Sequence, residues 1–436
     1  MQRRIYKSLL KWKAEKNRKP LLLRGARQIG KTYIVDEFGK NEFNSSITLN
    51  FERNPEYKGI FVSYDPEEII EKVTLFTGSQ ILKGETLLFL DEIQECPKAI
   101  MSLRYFYEEM PDLHIIGAGS LLEFSLQATD YRMPVGRVQY LYMYPLSFSE
   151  FLIALKEEQL HDYISNHLKL SEIPEELHLK LIAYVRKYCI IGGMPAVVKA
   201  YISTRDILTC QRIQHSIIET YQDDFAKYAR KFQLKYLKKV FSAITSLIGQ
   251  KVVYTNIDST IKSRDLKAAV ELLETAGIIY KVKKTSGAGL PFEANTKEAY
   301  YKPIFLDIGL VHAINGIYSE TIKETDLTAI YKGAVAEQFV GQELIALSNN
   351  YIKSSLYYWA REARNSSAEI DFLLSKNGGI VPIEVKSGKK GTLRSLLLFL
   401  KTYKTNQGVK ISQTIYKKEP ELLSIPFYAI ENYLNE

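Results

Sequence analysis

Eight consecutive residues, Gly25 to Thr32 (GARQIGKT), fit the pattern G-x-x-x-x-G-K-[ST]. Glycine in such a loop lets backbone amides approach phosphate oxygens with no Cβ in the way. The apolar run Leu21 to Leu23 precedes the loop and the helix-compatible run Lys31 to Phe38 follows it, so a helix N-terminus adds its positive dipole at the same point. Gly25, Ala26, Arg27, Gln28, Ile29 and Gly30 are expected to wrap the phosphates. Lys31 is expected to bridge the β- and γ-phosphates and Thr32 to hold magnesium. Further on, TLLFLDEIQ (86 to 94) reads as a buried strand ending in two acids, at the strand end where α/β sheets collect ligands. Asp91 would bind the magnesium through water and Glu92 would polarise an attacking water. The next apolar run, HIIGAGS (114 to 120), ends in Ser120, placed to sense the γ-phosphate or its water. The ligand this set calls for is ATP with Mg²⁺.

A second set lies in the last quarter of the chain: Glu337, Asp371 in AEIDFLL, and Glu384 with Lys386 in VPIEVKS. Glu384 and Lys386 are two apart on an expected strand, so they share a face. If KNGG (376 to 379) forms a symmetric hairpin loop, Asp371 stands opposite Glu384, with Cβ atoms about 4.5–5.5 Å apart. Two carboxylates that close favour a cation between them, and Mg²⁺ prefers carboxylates plus water. Lys386 could then orient or deprotonate a water, with Glu337 as a further carboxylate. The plainer reading is a set of ion pairs in which Lys386 and Arg361 or Arg364 neutralise the acids.

The elements that must position these residues can be read from periodicity. From Pro20 to about Phe151, short apolar runs at 21–23, 47–51, 86–90 and 114–118 alternate with helical segments, the signature of a parallel sheet covered by helices. From 152 to 228 the pattern is helical, broken by a turn at IIGGMP (190 to 195). From 229 to 318, helices precede an expected hairpin, Ile278 to Val282 and Tyr300 to Leu306, which suggests a winged helix. After a polar stretch, Ser319 to Thr328, a final α/β unit fills 319–436. Between these regions lies a basic cluster, Lys227, Arg230, Lys231, Lys235, Lys238 and Lys239, interleaved with Tyr228, Phe232 and Tyr236. Lys262, Arg264 and Lys267 follow on the next helix. Such clusters track phosphates or simply solvate a helix face.

A chain of 436 residues is too long for one hydrophobic core. Its 46% hydrophobic and 25% charged content is that of folded protein, and no apolar run approaches the roughly 20 residues of a membrane helix. The N-terminus lacks the pattern of a secretory signal, so a cytoplasmic location is expected. Ile5, Leu9 and Trp12 recur at helical spacing and predict a helix docked on the first domain. Three scattered cysteines, Cys96, Cys189 and Cys210, argue against a disulfide framework or a zinc site. The net charge of +8 permits contact with nucleic acid without requiring it.

Taken together, GARQIGKT, LFLDEIQ, IGAGS, GRVQYLYMYPLSFSEF (136 to 151), GGMP (192 to 195) and YKPIFLDIGL (301 to 310) resemble the prokaryotic AAA-family ATPases with a C-terminal nuclease-like domain. The acid set resembles the PD-(D/E)XK nuclease core, although Asp371 follows Ile370 and not a proline. The resemblance implies an α/β chain with a P-loop ATPase domain (1–151), a helical lid (152–228), a winged-helix-like domain (229–318) and a restriction-endonuclease-like domain (319–436). It also implies a role for Arg137 in sensing the γ-phosphate, its own or a neighbour's in an oligomer; a structural ion pair is the other reading. Two functions fit: an ATPase that couples nucleotide state to a DNA-binding or DNA-cleaving module, or an ATP-dependent signalling and assembly protein. In the second, the nuclease-like domain is an inactive scaffold and the partner is a protein.

Overall fold

The computed structural model describes residues 1–120, 122, 124, 134–166, 173–229, 233–316, 333–363, 366–388 and 393–436. Arg230, Lys231, Phe232, Arg364, the side chain of Tyr228 and the stretch Ser319 to Thr328 lie outside them. The chain forms two compact units.

The first unit comprises residues 2–144 and 349–353. Five parallel strands, β1 (Leu21–Arg24), β2 (Ser45–Asn50), β3 (Thr86–Asp91), β4 (His114–Ala118) and β5 (Gln139–Tyr142), lie in the order β2-β3-β4-β1-β5. β3 and β4 are buried along their whole length, as apolar runs in the middle of a covered parallel sheet must be. The helix Ile5–Ala14 buries Ile5, Leu9 and Trp12. β5 carries no continuous apolar run, only the alternation of QYLY, and sequence reading passed over it. Asn350 extends this edge: its carbonyl accepts from Tyr142 N at 2.7 Å and its Nδ2 donates to Tyr142 O at 2.9 Å.

The second unit takes in 145–348 and 354–436. Among the described residues, eight α-helices between Phe148 and Thr275 precede an eight-stranded sheet in the order β12-β13-β11-β10-β9-β8-β6-β7. Its strands are β6 (Ile279–Thr285), β7 (Thr296–Phe305), β8 (Leu356–Ala363), β9 (Ser366–Lys376), β10 (Gly379–Lys386), β11 (Gly408–Ser412), β12 (Lys417–Lys418) and β13 (Leu422–Pro426). The hairpin expected after the basic helices exists as β6–β7, but β6 also pairs in parallel with β8. The hairpin is thus one end of the large sheet, with β7 as its edge strand.

A buried polar hub organises this unit. Asp307 accepts from Gly193 N at 2.6 Å and Leu310 N at 3.1 Å, and Gln342 Nε2 lies 3.3 Å from the same carboxylate. Gln342 Nε2 also donates to Tyr188 Oη at 2.9 Å, Tyr188 donates to the Leu146 carbonyl, and Leu146 N donates to Gly193 O at 2.8 Å. A Cβ on Gly193 would lie 2.2 Å from the Leu146 carbonyl oxygen, so no larger residue fits there. The hub explains why GGMP, PLSF and FLDIGL occur together: each supplies one wall of it.

The cysteines Cys96, Cys189 and Cys210 are buried and free. Among the described residues no single helix is long and apolar enough to cross a membrane.

Candidate functional site

The loop Gly25 to Gly30 joins the end of β1 to the helix Lys31–Glu42. Gly25 has φ +145°, and a Cβ there would stand 2.3 Å from the Met143 carbonyl oxygen; Gln28 and Gly30 are also left-handed, at φ 63° and 92°. A side chain at Gly25 would therefore be doubly excluded, by conformation and by space. Lys31 Nζ is buried and donates to the carbonyls of Gly25 (2.9 Å) and Ala26 (2.8 Å). Burial lowers its pKa to about 8, against the opposing pull of Glu92 and Asp91.

Thr32 Oγ1 lies 3.2 Å from each carboxylate oxygen of Asp91, at the end of β3. Asn50, paired in register with Asp91 from β2, donates Nδ2 to Asp91 Oδ2 at 2.8 Å. Burial and the adjacent Glu92 raise the Asp91 pKa, and the bonds from Asn50 and Thr32 offset this only in part. A cation beside Asp91 would relieve both effects. A hydroxyl and a carboxylate at this separation are oxygen donors suited to Mg²⁺, so Thr32 and Asp91 fit the ion expected there.

Glu92 has φ 49°, left-handed for a residue with a Cβ, a conformation that costs on the order of 1–3 kcal/mol and persists only where neighbours fix it. The neighbours are Gln94, whose Nε2 donates to Glu92 Oε2 at 2.7 Å, and Ser120, whose Oγ donates to the same oxygen at 3.3 Å. Ser120 thus touches the carboxylate expected to activate water. Sequence reading missed Asn50 and Gln94. The signal for Asn50 was available, since a polar residue near the end of the apolar run 47–51 falls at the same strand end as Asp91.

Arg137 is not near this loop. It precedes β5, whose start pairs with the start of β1 (Leu21↔Gln139), so it lies at the sheet edge opposite Gly25 to Thr32, a strand's length of about 13 Å away. Its Nε donates to Glu108 at 2.8 Å on the surface. The expectation that it senses this chain's own γ-phosphate is therefore replaced by the ion-pair reading.

In the second unit the hairpin β9–β10 has the register of a symmetric loop, with pairs from Gly379↔Lys376 to Ile383↔Phe372. Asp371 and Glu384 lie just beyond the last of these pairs. Asp371 Oδ2 accepts from Val385 N at 2.8 Å, and Glu384 Oε1 accepts from Lys386 Nζ at 2.6 Å. Glu384 Oε2 is buried with no hydrogen-bond partner. Glu337, on the helix Ala334–Ala346, joins the cluster through a residue sequence reading did not single out. Lys302, from β7, places Nζ 2.5 Å from Glu369 Oε1, 3.0 Å from Glu337 Oε2 and 3.5 Å from Asp371 Oδ1. The cation shared by the acids is thus Lys302 and not Arg361. Burial disfavours its charge, but Glu337, Asp371 and Glu369 outweigh burial and hold its pKa above that of an ordinary lysine. Burial and the Asp371 charge raise the carboxyl pKa values of Glu337 and Glu384. Among the described residues no three or more His, Cys, Asp or Glu side chains are grouped to hold a metal. The expected ion between Asp371 and Glu384 does not fit: Lys302, Val385 and Lys386 already engage three of those four oxygens.

Residues 17–152 match the family described as an AAA domain. Residues 182–321 and 332–428 match two domains of unknown function, DUF8612 and DUF4143. No curated protein sequence matches the chain. Among solved structures, the Walker-type ATPase PABY2304 of Pyrococcus abyssi is similar at TM-score 0.45 and 17% identity, over 72% of this chain and 95% of that one. The Aeropyrum pernix ORC2 protein in its ADPNP–ADP complexes gives TM-score 0.34 and 11% identity, over 74% and 93%. The Thermotoga maritima RuvB Holliday junction branch migration motor gives 0.28 and 18%, over 65% and 90%. By the family match, residues 17–152 form an AAA-type domain.

The lowered pKa of Lys31 is expected to make any nucleotide affinity of this loop dependent on pH. Phosphate favours the ammonium form, so binding above pH 8 must first restore the proton. Affinity for ATP is expected to be flat below about pH 7 and to weaken towards tenfold per pH unit above pH 8. Titration calorimetry between pH 6.5 and 9.5, in buffers of different ionisation heat, would show the matching proton uptake.

Proposed function

We propose that this protein binds ATP with Mg²⁺ at Gly25 to Thr32, hydrolyses it, and uses its nucleotide state to control what the second unit engages, with duplex DNA as the candidate partner. The observation that carries the reading is the Thr32 hydroxyl 3.2 Å from both Asp91 oxygens, with Glu92 on the adjoining residue held by Gln94 and Ser120. Lys31 holds phosphate charge, Thr32 and Asp91 hold the magnesium, and Glu92 takes up a proton from water as it attacks. A magnesium ion held by Thr32 and Asp91 would supply neutralisation of charge on the transferring phosphoryl group.

The DNA part of the reading rests on the helices Leu234–Ile244 and Ser263–Thr275, taken as a winged-helix-like pair. The first buries Leu237, Val240, Phe241 and Ile244 and leaves Lys235, Lys238 and Lys239 exposed. Lys239 pairs with Asp258, and Lys267 of the second helix with Glu271, so part of this charge is internally matched. Replacing Lys235, Lys238 and Lys239 with alanine is expected to weaken duplex binding at least tenfold and to flatten its salt dependence by up to about three phosphate contacts. Fluorescence anisotropy at 50 to 200 mM salt measures both. If wild-type protein binds no duplex at any of these salt concentrations, the DNA reading fails. The assembly reading, with a protein partner and the nuclease-like fold as an inactive scaffold, would then take its place. The sharing of Lys302 by three carboxylates favours that alternative.

A further inference from the structure

The acid cluster of the second unit has a composition that invites a metal and a geometry that refuses one. Glu337, Glu369, Asp371 and Glu384 bring four carboxylates together, and Lys302 stands among the first three with its side chain buried. A divalent ion on Asp371 Oδ1 would sit at most about 6 Å from the Lys302 ammonium, given metal–oxygen bonds near 2.1 Å. Asp371 Oδ2 is already bonded by Val385 N, and Glu384 Oε1 by Lys386. Glu384 Oε2 is the carboxylate oxygen of this hairpin that is buried and unbonded, and the Asp371 oxygens that would join it in holding a hydrated Mg²⁺ are engaged by Lys302 and Val385 N.

We propose that Lys302 is a built-in cation that substitutes for a divalent metal in this cluster, and that removing its ammonium group turns the cluster into a divalent-cation site. The wild-type second unit then has no metal-dependent chemistry at Asp371 and Glu384, and its acids serve to fasten β7, β9 and the helix Ala334–Ala346 to one another. Tyr358 of β8, with its ring centroid 5.5 Å from Lys302 Nζ, helps to hold the ammonium in place. Removal of the charge while the stem is kept leaves Glu337 and Asp371 facing each other without the cation they share, beside Glu369, which retains only Lys251 at 3.7 Å, and the unbonded Glu384 oxygen. That arrangement is what a divalent ion stabilises.

The inference is independent of ATP hydrolysis, and full-length protein without nucleotide tests it. Mn²⁺ binding is followed by the electron paramagnetic resonance of the free ion for wild type, Asp371→Asn, Lys302→Met and the Lys302→Met/Asp371→Asn double variant. Wild type and Asp371→Asn are expected to show the same Mn²⁺ binding at millimolar concentration, with no ion bound at Asp371. Lys302→Met is expected to bind one equivalent at least tenfold more tightly than wild type, to melt lower than wild type without metal, and to recover several degrees with Mn²⁺. The double variant is expected to lose both the binding and the recovery. One Mn²⁺ bound by wild type and lost in Asp371→Asn would overturn the proposal, and that comparison does not depend on how well Lys302→Met folds. A folded Lys302→Met protein that gains no Mn²⁺ would overturn it equally. Failure of the ATPase reading would appear in ATP turnover and would leave these stoichiometries as they are.

Discussion

Replacing Glu92 with glutamine is expected to leave ATP bound with near wild-type affinity and to slow its hydrolysis by about 10²–10⁴-fold, the usual contribution of a positioned general base. The substitution keeps the shape of the side chain and the acceptor that Gln94 Nε2 and Ser120 Oγ both use at 2.7 and 3.3 Å. What it removes is the capacity to take a proton. The left-handed backbone at Glu92 is a second reason to expect specificity of role, since a residue that merely capped the following turn would have no need of a conformation that favours glycine. Single-turnover hydrolysis of radiolabelled ATP, with binding measured separately by filter retention, separates the two quantities. Equal turnover in the variant and wild type would remove Glu92 from the mechanism. Equal loss of binding and turnover would mean that the substitution had disturbed the loop and Asp91 instead.

The nucleotide site was legible in the sequence because its demands are local. Phosphate needs bare backbone amides, which selects glycine at fixed offsets, and the strand before and helix after it are each a single run of residues. Asp91 and Glu92 could be added because a buried strand announces itself by its apolar run and its last residues lie at the sheet edge. The register of β9 against β10 was equally legible, because a symmetric four-residue loop fixes every pair that follows. Contacts formed across long stretches of chain were not legible. Lys302 belongs to β7, and nothing in TKEAYYKPIF says that its ammonium will meet Glu369 and Asp371 some seventy residues later. Asn350 completes the edge of the first sheet from inside the last quarter of the chain. Arg137 shows the converse error. A Gly-Arg pair suggested a phosphate sensor by resemblance, but the parallel pairing of β5 with β1 sets it at the end of the sheet away from this chain's own phosphate loop.

Asp307→Ala is expected to destabilise the second unit by about 2–4 kcal/mol at pH 7. The carboxylate is fully buried and satisfies Gly193 N, Leu310 N and Gln342 Nε2, and each buried donor left without an acceptor costs about 1–3 kcal/mol. Against that loss stands a gain, because burial raises the Asp307 pKa to about 6, so the charged form is itself held at a cost. An unfolded aspartate titrates near 3.9, about two units lower. The folded state therefore binds the proton more tightly. The contribution of Asp307 to stability is largest below about pH 4, falls as pH rises towards 6, and is constant above it. By about 1.4 kcal/mol per unit, the span of that fall is roughly 3 kcal/mol. Calorimetric unfolding at pH 5 and pH 7 should show wild-type protein losing part of this margin between the two, with the alanine variant less stable at both and less sensitive to the change. A variant as stable as wild type at pH 7 would mean that the hub closes without its acceptor. That outcome would be hard to reconcile with the turn at Gly192 and Gly193, where the Asp307 carboxylate leaves no room for a Cβ on Gly192 and the Leu146 carbonyl leaves none on Gly193.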